Sequence, residues 1–168
     1  MPAPAPPSVT APSPALALGS LTPEFSLETP GRGTVGPVDL VLRGKPIVLV
    51  FVSRGCGPCR DLLPKIDHWA SQWASRATLL VVVAGPVQAN MDLVAEFPGI
   101  PFAMSGHEPV ADLFGAKWTP ASVVLDAQGH VREAAVFGGD AILAALERLA
   151  VSLADGDAAG APAPDFTA

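Results

Sequence analysis

The chain contains no tyrosine, two cysteines, and ten lysines and arginines in 168 residues, and each shortage closes off a class of protein. Two cysteines cannot form the dense framework of a small disulfide-stapled secreted module. A domain of this length with 49 % apolar residues can bury its own core, so the pair is free for chemistry. Ten basic residues against 16 acidic ones give a formal charge of −6, with no basic face to neutralise phosphates. That composition argues against nucleic acid and against an anionic membrane surface. No apolar run approaches the roughly 18 residues of a membrane span. The N-terminus lacks the basic start and apolar core of a signal peptide, so the chain as given is expected to be soluble.

What is present is ordered in blocks. Residues 1–20 are rich in Pro, Ala and Ser, a composition that favours extended, unpacked chain, and are expected to be a disordered tether. Residues 155–168 have the same character and are expected to be a disordered tail, leaving 21–154 as the folded domain. Within it, "PIVLVFV" (Pro46 to Val52) is a continuous apolar, β-branched run, as expected of a central strand buried on both faces. From Gly57 the period becomes helical, with Leu62, Ile66, Trp69 and Trp73 on one face and Pro64 inside the helix.

"TLLVVVA" (Thr78 to Ala84) is a second buried strand, Gln88 to Phe97 a short helix, "IPFAM" a short strand, and Glu108 to Gly115 a helix ended by glycine. "ASVVLDAQGHVREAAVF" reads as a β-hairpin around Asp126 to Gly129. A last helix begins at Asp140, a candidate N-cap, and runs to Ala154 with Ile142, Leu143, Leu146 and Leu149 inward. The expected fold class is α/β, a mixed central sheet with helices on both faces.

Both cysteines lie in "VFVSRGCGPCRDLLPKI", spaced Cys56-Gly57-Pro58-Cys59 at the junction of strand and helix. By spacing alone the pair admits a structural staple, half of a metal site, or a redox centre. At a helix start, free backbone N–H groups and the positive end of the helix dipole favour the Cys56 thiolate, the reactive form. Cys59 is one turn on and on the same side, placed to attack a mixed disulfide held by Cys56. Pro58 lacks an N–H and suits the first helical turn, while Gly57 leaves Cys56 open to an approaching protein. Arg60 adds a positive charge that either favours the thiolate or is simply solvated.

Metal binding needs two further ligands, and none of His68, His107 and His130 is spaced as a partner. A thiol peroxidase is the closer rival, since Ser53 stands three residues before Cys56. A non-enzymatic binding module is the third reading.

The pattern resembles the thioredoxin superfamily and, within it, the TlpA/ResA-like thiol-disulfide oxidoreductases with their redoxin domain. "PEFSL" (Pro23 to Leu27), "RGKPIVLVFVSRGCGPCRDLLP" (Arg43 to Pro64), "VADLFGAKWTPASVVLDAQGHV" (Val110 to Val131) and the closing helix carry the resemblance, over about three quarters of the chain. It implies a thioredoxin-like fold with an insertion, Ala84 to Gly115, between the second core strand and the loop of Pro120. It also implies that Pro120 is cis and lies against the reactive disulfide, and that the Thr119 backbone pairs with a bound substrate strand.

Cys56 would attack, Cys59 resolve, and electrons pass through the Cys56–Cys59 disulfide with no organic cofactor and no metal. The implied partners are disulfide-containing protein clients and a thiol electron donor, met by a monomer outside the cytoplasm, exported or held by a membrane tether beyond these residues. The Gly-Pro dipeptide points to the reducing end of the redox scale, about −270 mV. Three helpers of the family are missing: Gly55 replaces a Trp before the first Cys, Val50 a buried acid, and Leu62 a Glu before the helix proline. Trp118, where the family often has Gly, is a candidate to cover the pair. Nothing in the sequence serves Cys59 as a base.

Overall fold

A computed structural model describes residues 16–31, 33–106 and 110–159. Its centre is the apolar run itself: strand β3 (Ile47–Val52) has all six residues buried. A strand alternates its side chains between two faces, so a run with no polar residue demands cover on both. Val48, Val50 and Val52 join one core cluster, and Ile47, Leu49 and Phe51 the other.

Strand β4 (Thr78–Val83) pairs with β3 in parallel, and β6 (Ala121–Leu125) pairs with it antiparallel on the other side. Strand β5 (Phe102–Met104) extends the sheet beyond β4, and β7 (Val131–Phe137) forms the hairpin with β6. Two short strands, β1 (Leu27–Thr29) and β2 (Gly33–Val35), complete a seven-stranded mixed sheet of order β2-β1-β5-β4-β3-β6-β7.

Helix α2 (Gly57–Trp73) lays Leu62, Leu63, Ile66, Trp69 and Ala70 on the Val48/Val50/Val52 face, and α5 (Gly139–Ala159) adds Ile142, Leu146 and Leu149. Each fully buried Leu or Ile there contributes roughly 1.5–3 kcal/mol relative to exposure. The opposite face is covered by Leu40 of α1 (Pro37–Val41), Val110 of α4 (Val110–Leu113), and Phe114. The expected α/β architecture and its insertion are therefore present.

Several local expectations are corrected. The β1–β2 hairpin and α1 escaped notice because elements of three to five residues carry too few side chains to show a period. The helix expected over 88–97 is divided into a 3₁₀ turn (Gln88–Asn90) and α3 (Met91–Glu96). Buried Asn90 turns its amide back to the carbonyls of Ala84 and Pro86, at 3.1 and 3.0 Å, and so pins the start of the insertion.

Asp140 is not the cap of α5 but lies in its first turn. Gly138, at φ 92°, makes the bend, and its carbonyl accepts the Ile142 N–H. The helix also runs past Ala154 to Ala159. The lone Gly156 costs a helix only about 1 kcal/mol, and proline first appears beyond it at Pro162. Of the expected helix Glu108 to Gly115, residues 108–109 lie outside the described residues, as do 1–15 of the expected tether and 160–168 of the expected tail. Gly19 and Ser20, the last of the tether, exchange hydrogen bonds with Val131 on the edge of the sheet.

At the tip of the β6–β7 hairpin, Asp126 accepts from the backbone N–H groups of Gln128 and His130, both at 2.9 Å. Slight burial pushes its carboxyl up, but those two donors and the His130 ring outweigh it and hold the pKa below the ordinary 3.8. A depressed carboxylate contributes stability above its unfolded pKa and loses it as pH falls through the folded value. Asp126→Ala is expected to cost about 0.5–1 kcal/mol at pH 7, at the low side for a half-exposed group. In urea unfolding the gap from the parent should close as the pH drops below 3.8.

Candidate active site

The site is built where β3 stops and α2 starts. Cys56 is the N-cap of α2, in extended backbone at φ −94° and ψ 110°, and its Sγ accepts the Cys59 N–H at 3.1 Å. The Cys56 carbonyl takes the first helical hydrogen bond, from Arg60 at 3.2 Å. Gly57 and Pro58 are exposed in the first turn, so nothing stands over the motif from its own helix. Cys56 and Cys59 are joined as a disulfide with their Cα atoms 5.2 Å apart. Cys56 is half-buried while Cys59 is 1 % exposed, so only the first sulfur can be reached from outside. On reduction, the Cys59 N–H and the helix terminus would both favour negative charge on Cys56.

The loop before β6 closes the other side. Its Thr119–Pro120 peptide is cis, as the resemblance implied. The Thr119 carbonyl oxygen lies 3.7 Å from Cys56 Sγ, a packing contact, because a disulfide sulfur has no proton to donate. Thr119 is held there by its hydroxyl, which shares a hydrogen bond of 3.0 Å with Ser53 at the end of β3. Pro120 is buried, and its carbonyl accepts the Gly138 N–H. Trp118 is 68 % exposed and packs edge-on against Phe137, ring centres 5.5 Å apart.

The insertion reaches the same site from a third direction, which sequence reading missed. Arg54, in the turn before Cys56, pairs with Asp92, and Arg60, just after Cys59, pairs with Glu96, each at 2.7 Å. Asp92 and Glu96 are one turn apart on α3, an i,i+4 acidic pair that was the available signal. Arg60 is thus neither a free cation beside the thiol nor merely solvated.

Around Cys59 the surroundings are apolar: Val50, Leu62 and Leu63 share its buried cluster. Among the described residues no group of three or more His, Cys, Asp and Glu could hold a metal ion. His68 is exposed on α2, His130 belongs to the hairpin turn, and His107 lies outside the described residues.

Residues 18–134 match the model of the AhpC/TSA family. The chain belongs to the AhpC/TSA family. It is a redoxin-type member of the thioredoxin superfamily, TlpA/ResA-like in its pattern of strands, insertion and cysteine pair. Among solved structures it is similar to a candidate thiol:disulfide interchange protein DsbE of Chlorobium tepidum, at 25 % identity over 83 % of this chain and 99 % of that one, TM-score 0.72. The thioredoxin domain of a thiol-disulfide oxidoreductase of Bacteroides vulgatus shares the fold at 19 % identity, covering 80 % and 99 %, TM-score 0.66.

The exposed lipoprotein thioredoxin of Streptococcus pneumoniae does so at 22 %, covering 75 % and 99 %, TM-score 0.61. No curated protein matches the sequence. At this coarse level the AhpC/TSA chain is thiol-disulfide oxidoreductase-like, with a Cys-x-x-Cys pair in place.

The paired arginines make one electrostatic prediction for this AhpC/TSA member. Replacing Asp92→Asn and Glu96→Gln together leaves two guanidiniums unbalanced beside Cys56. Alkylation of the reduced protein at pH 6 should then rise about two- to threefold, within the worth of exposed ion pairs. The same gain should fade in 1 M salt, where the screening length falls to about 3 Å; an unchanged rate would mean the pairs leave the thiol unaffected.

Proposed function

We propose that the protein reduces or exchanges disulfides in client proteins, through Cys56 as nucleophile and Cys59 as the resolving thiol. The observation that carries this reading is the asymmetry of the pair: Cys56 is reachable at a helix start while Cys59 is sealed beneath it. An entering client disulfide meets Cys56 first, and the mixed disulfide is then broken from within by Cys59. The part-buried Thr119 carbonyl beside Cys56 is a backbone acceptor suited to a client strand lying across Gly57, Pro58 and the cis Pro120. The exposed Trp118–Phe137 pair offers that strand an apolar contact.

Electrons would come from a thiol donor, and no organic cofactor takes part. In this reading the protein works as a monomer at the reducing end of the scale, about −270 mV, outside the cytoplasm, with 21–154 as its working domain and the Pro-rich start as a spacer. No helix among the described residues is long and apolar enough to cross a membrane. The peroxidase reading has less behind it. The Ser53 hydroxyl is engaged with Thr119, and Arg54 and Arg60 are engaged with carboxylates, so neither kind of group waits on Cys56 for a peroxide.

Insulin-disulfide reduction tests the assignment: the parent should be active and Cys56→Ser inactive. Cys59→Ser should instead accumulate mixed disulfides on Cys56. A parent that consumes peroxide far faster than free cysteine and leaves insulin intact would reverse the choice. For Trp118, removal of the ring in Trp118→Ala should raise the KM for an unfolded client several-fold and leave reaction with a small disulfide unchanged. Equal effects on both would make the ring a packing residue only.

A further inference from the structure

The layer beneath the disulfide holds a polar side chain with nothing to bond. Ser122 on β6 is 1 % exposed, and its Oγ has no hydrogen-bond partner among the described residues. Register sets it opposite Val50 of β3 and Val136 of β7. Ala121 and Val123 belong to the far core cluster and Val124 to the near one, so alternation turns Ser122 toward the near face. That face carries Val50, Cys59, Leu62 and Ile142. Three residues earlier on the same chain, Thr119 touches Cys56. One strand therefore borders the outer sulfur with its leading loop and faces the layer of the inner sulfur with a buried hydroxyl.

A buried hydroxyl without a partner keeps its desolvation penalty uncompensated, so it calls for an account. The other side chains of that cluster are apolar except Trp69, whose indole N–H also lacks a partner. Trp69 lies ten residues beyond Cys59 along α2, about 15 Å away at the helical rise. Cys56 packs only at the margin of the cluster and is already met by the Cys59 N–H, so the fully buried member that gains hydrogen-bonding capacity on reduction is Cys59. Its sulfur is a poor partner in the disulfide and a good one as thiolate.

We propose that Ser122 is a positioning residue for the resolving cysteine. Its hydroxyl donates a hydrogen bond to the Cys59 sulfur in the reduced protein and so stabilises the thiolate where Val50 and Leu62 supply no base. The inference rests on the thiol-disulfide reading above and deepens it. In the resolving step Cys59 gives up its proton and its sulfur bonds to Cys56 Sγ. The bond between Cys56 and the client sulfur breaks, and the client leaves with the electron pair and takes up a proton. Over the two steps together, attack by Cys56 and resolution by Cys59, the cysteine pair is oxidised by two electrons and the client disulfide reduced by two. Ser122 keeps its own proton throughout.

The test is Ser122→Ala in the full chain, with Val124→Ala as a truncation on the same face that removes no polar group. Equilibration with glutathione buffers should show the reduced-to-oxidised ratio of S122A lowered about three- to tenfold, a tenfold change being about 30 mV toward reducing potentials for two electrons. The pH midpoint for release of a small thiol from the Cys56 mixed disulfide should rise. V124A should move neither, though it loosens the core. Oxidised S122A should be at least as stable to urea as the parent, because an orphaned hydroxyl has been removed.

Unchanged potential and midpoint in S122A, an equal shift in V124A, or an oxidised S122A that is destabilised or unfolded would each overturn the role of Ser122. Failure of the parent to reduce insulin would overturn the functional reading instead, and the dithiol equilibrium would still report on Ser122.

Discussion

Everything at the site depends on one junction, the point where a strand buried on both faces gives way to a helix with Cys56 as its cap. β3 is held by parallel and antiparallel neighbours and by two core clusters, so its end is packed on both faces and paired on both edges. The helix that follows must leave its first N–H groups unpaired by the helix itself. One of them, from Cys59, is met by the Cys56 sulfur, which makes the cap and the proposed nucleophile the same atom. A short turn from the strand end thus leads to the sulfur, and the helix start sets its electrostatics.

Three other pieces of chain close around that junction, each with different physics. The cis Thr119–Pro120 loop brings a backbone carbonyl to the outer sulfur and is tied to the end of β3 through the Ser53 and Thr119 hydroxyls. The insertion brings α3, whose Asp92 and Glu96 take up the two guanidiniums flanking the cysteines. These exposed pairs add little to stability, but they tie the insertion to the turn before Cys56 and to the first turn of α2. The N-terminal part of α5 lies on the same side of the sheet as Cys59 and helps seal it from water.

The result is a site divided by polarity. Its outer half is accessible, charged and lined with backbone groups; its inner half packs apolar side chains around the Cys59 sulfur, with the Ser122 hydroxyl on the same face. Under the proposed function such a division would separate the two steps of thiol-disulfide exchange, the first thiol met from outside and the second acting in a sealed layer. It also explains how Val50 and Leu62 can be pure core residues at positions adjoining the chemistry. They serve the packing of α2 on β3, and any help to Cys59 has to come from another strand.

The sequence by itself determined the parts that rest on local pattern. The all-apolar run Ile47–Val52, the helical period after Gly57, the hairpin around Asp126 and the Cys-Gly-Pro-Cys spacing each carry enough side chains in one stretch to declare their structure. The Thr-Pro pair became legible only beside the resemblance, because a lone proline before a strand has no local signature of being cis. Short elements such as β1, β2 and α1 gave no period, and the end of α5 was masked by a composition shared with a linker.

Only the tertiary structure decided which residues meet. Arg54 with Asp92, Arg60 with Glu96, Ser53 with Thr119, and Ser122 beside Val50 are separated by dozens of residues. Their contacts follow from strand register and from where the insertion returns, quantities that no local pattern encodes. For the same reason, the missing base of Cys59 could be noticed along the chain, whereas a candidate substitute on β6 came into view only once β6 was laid against β3.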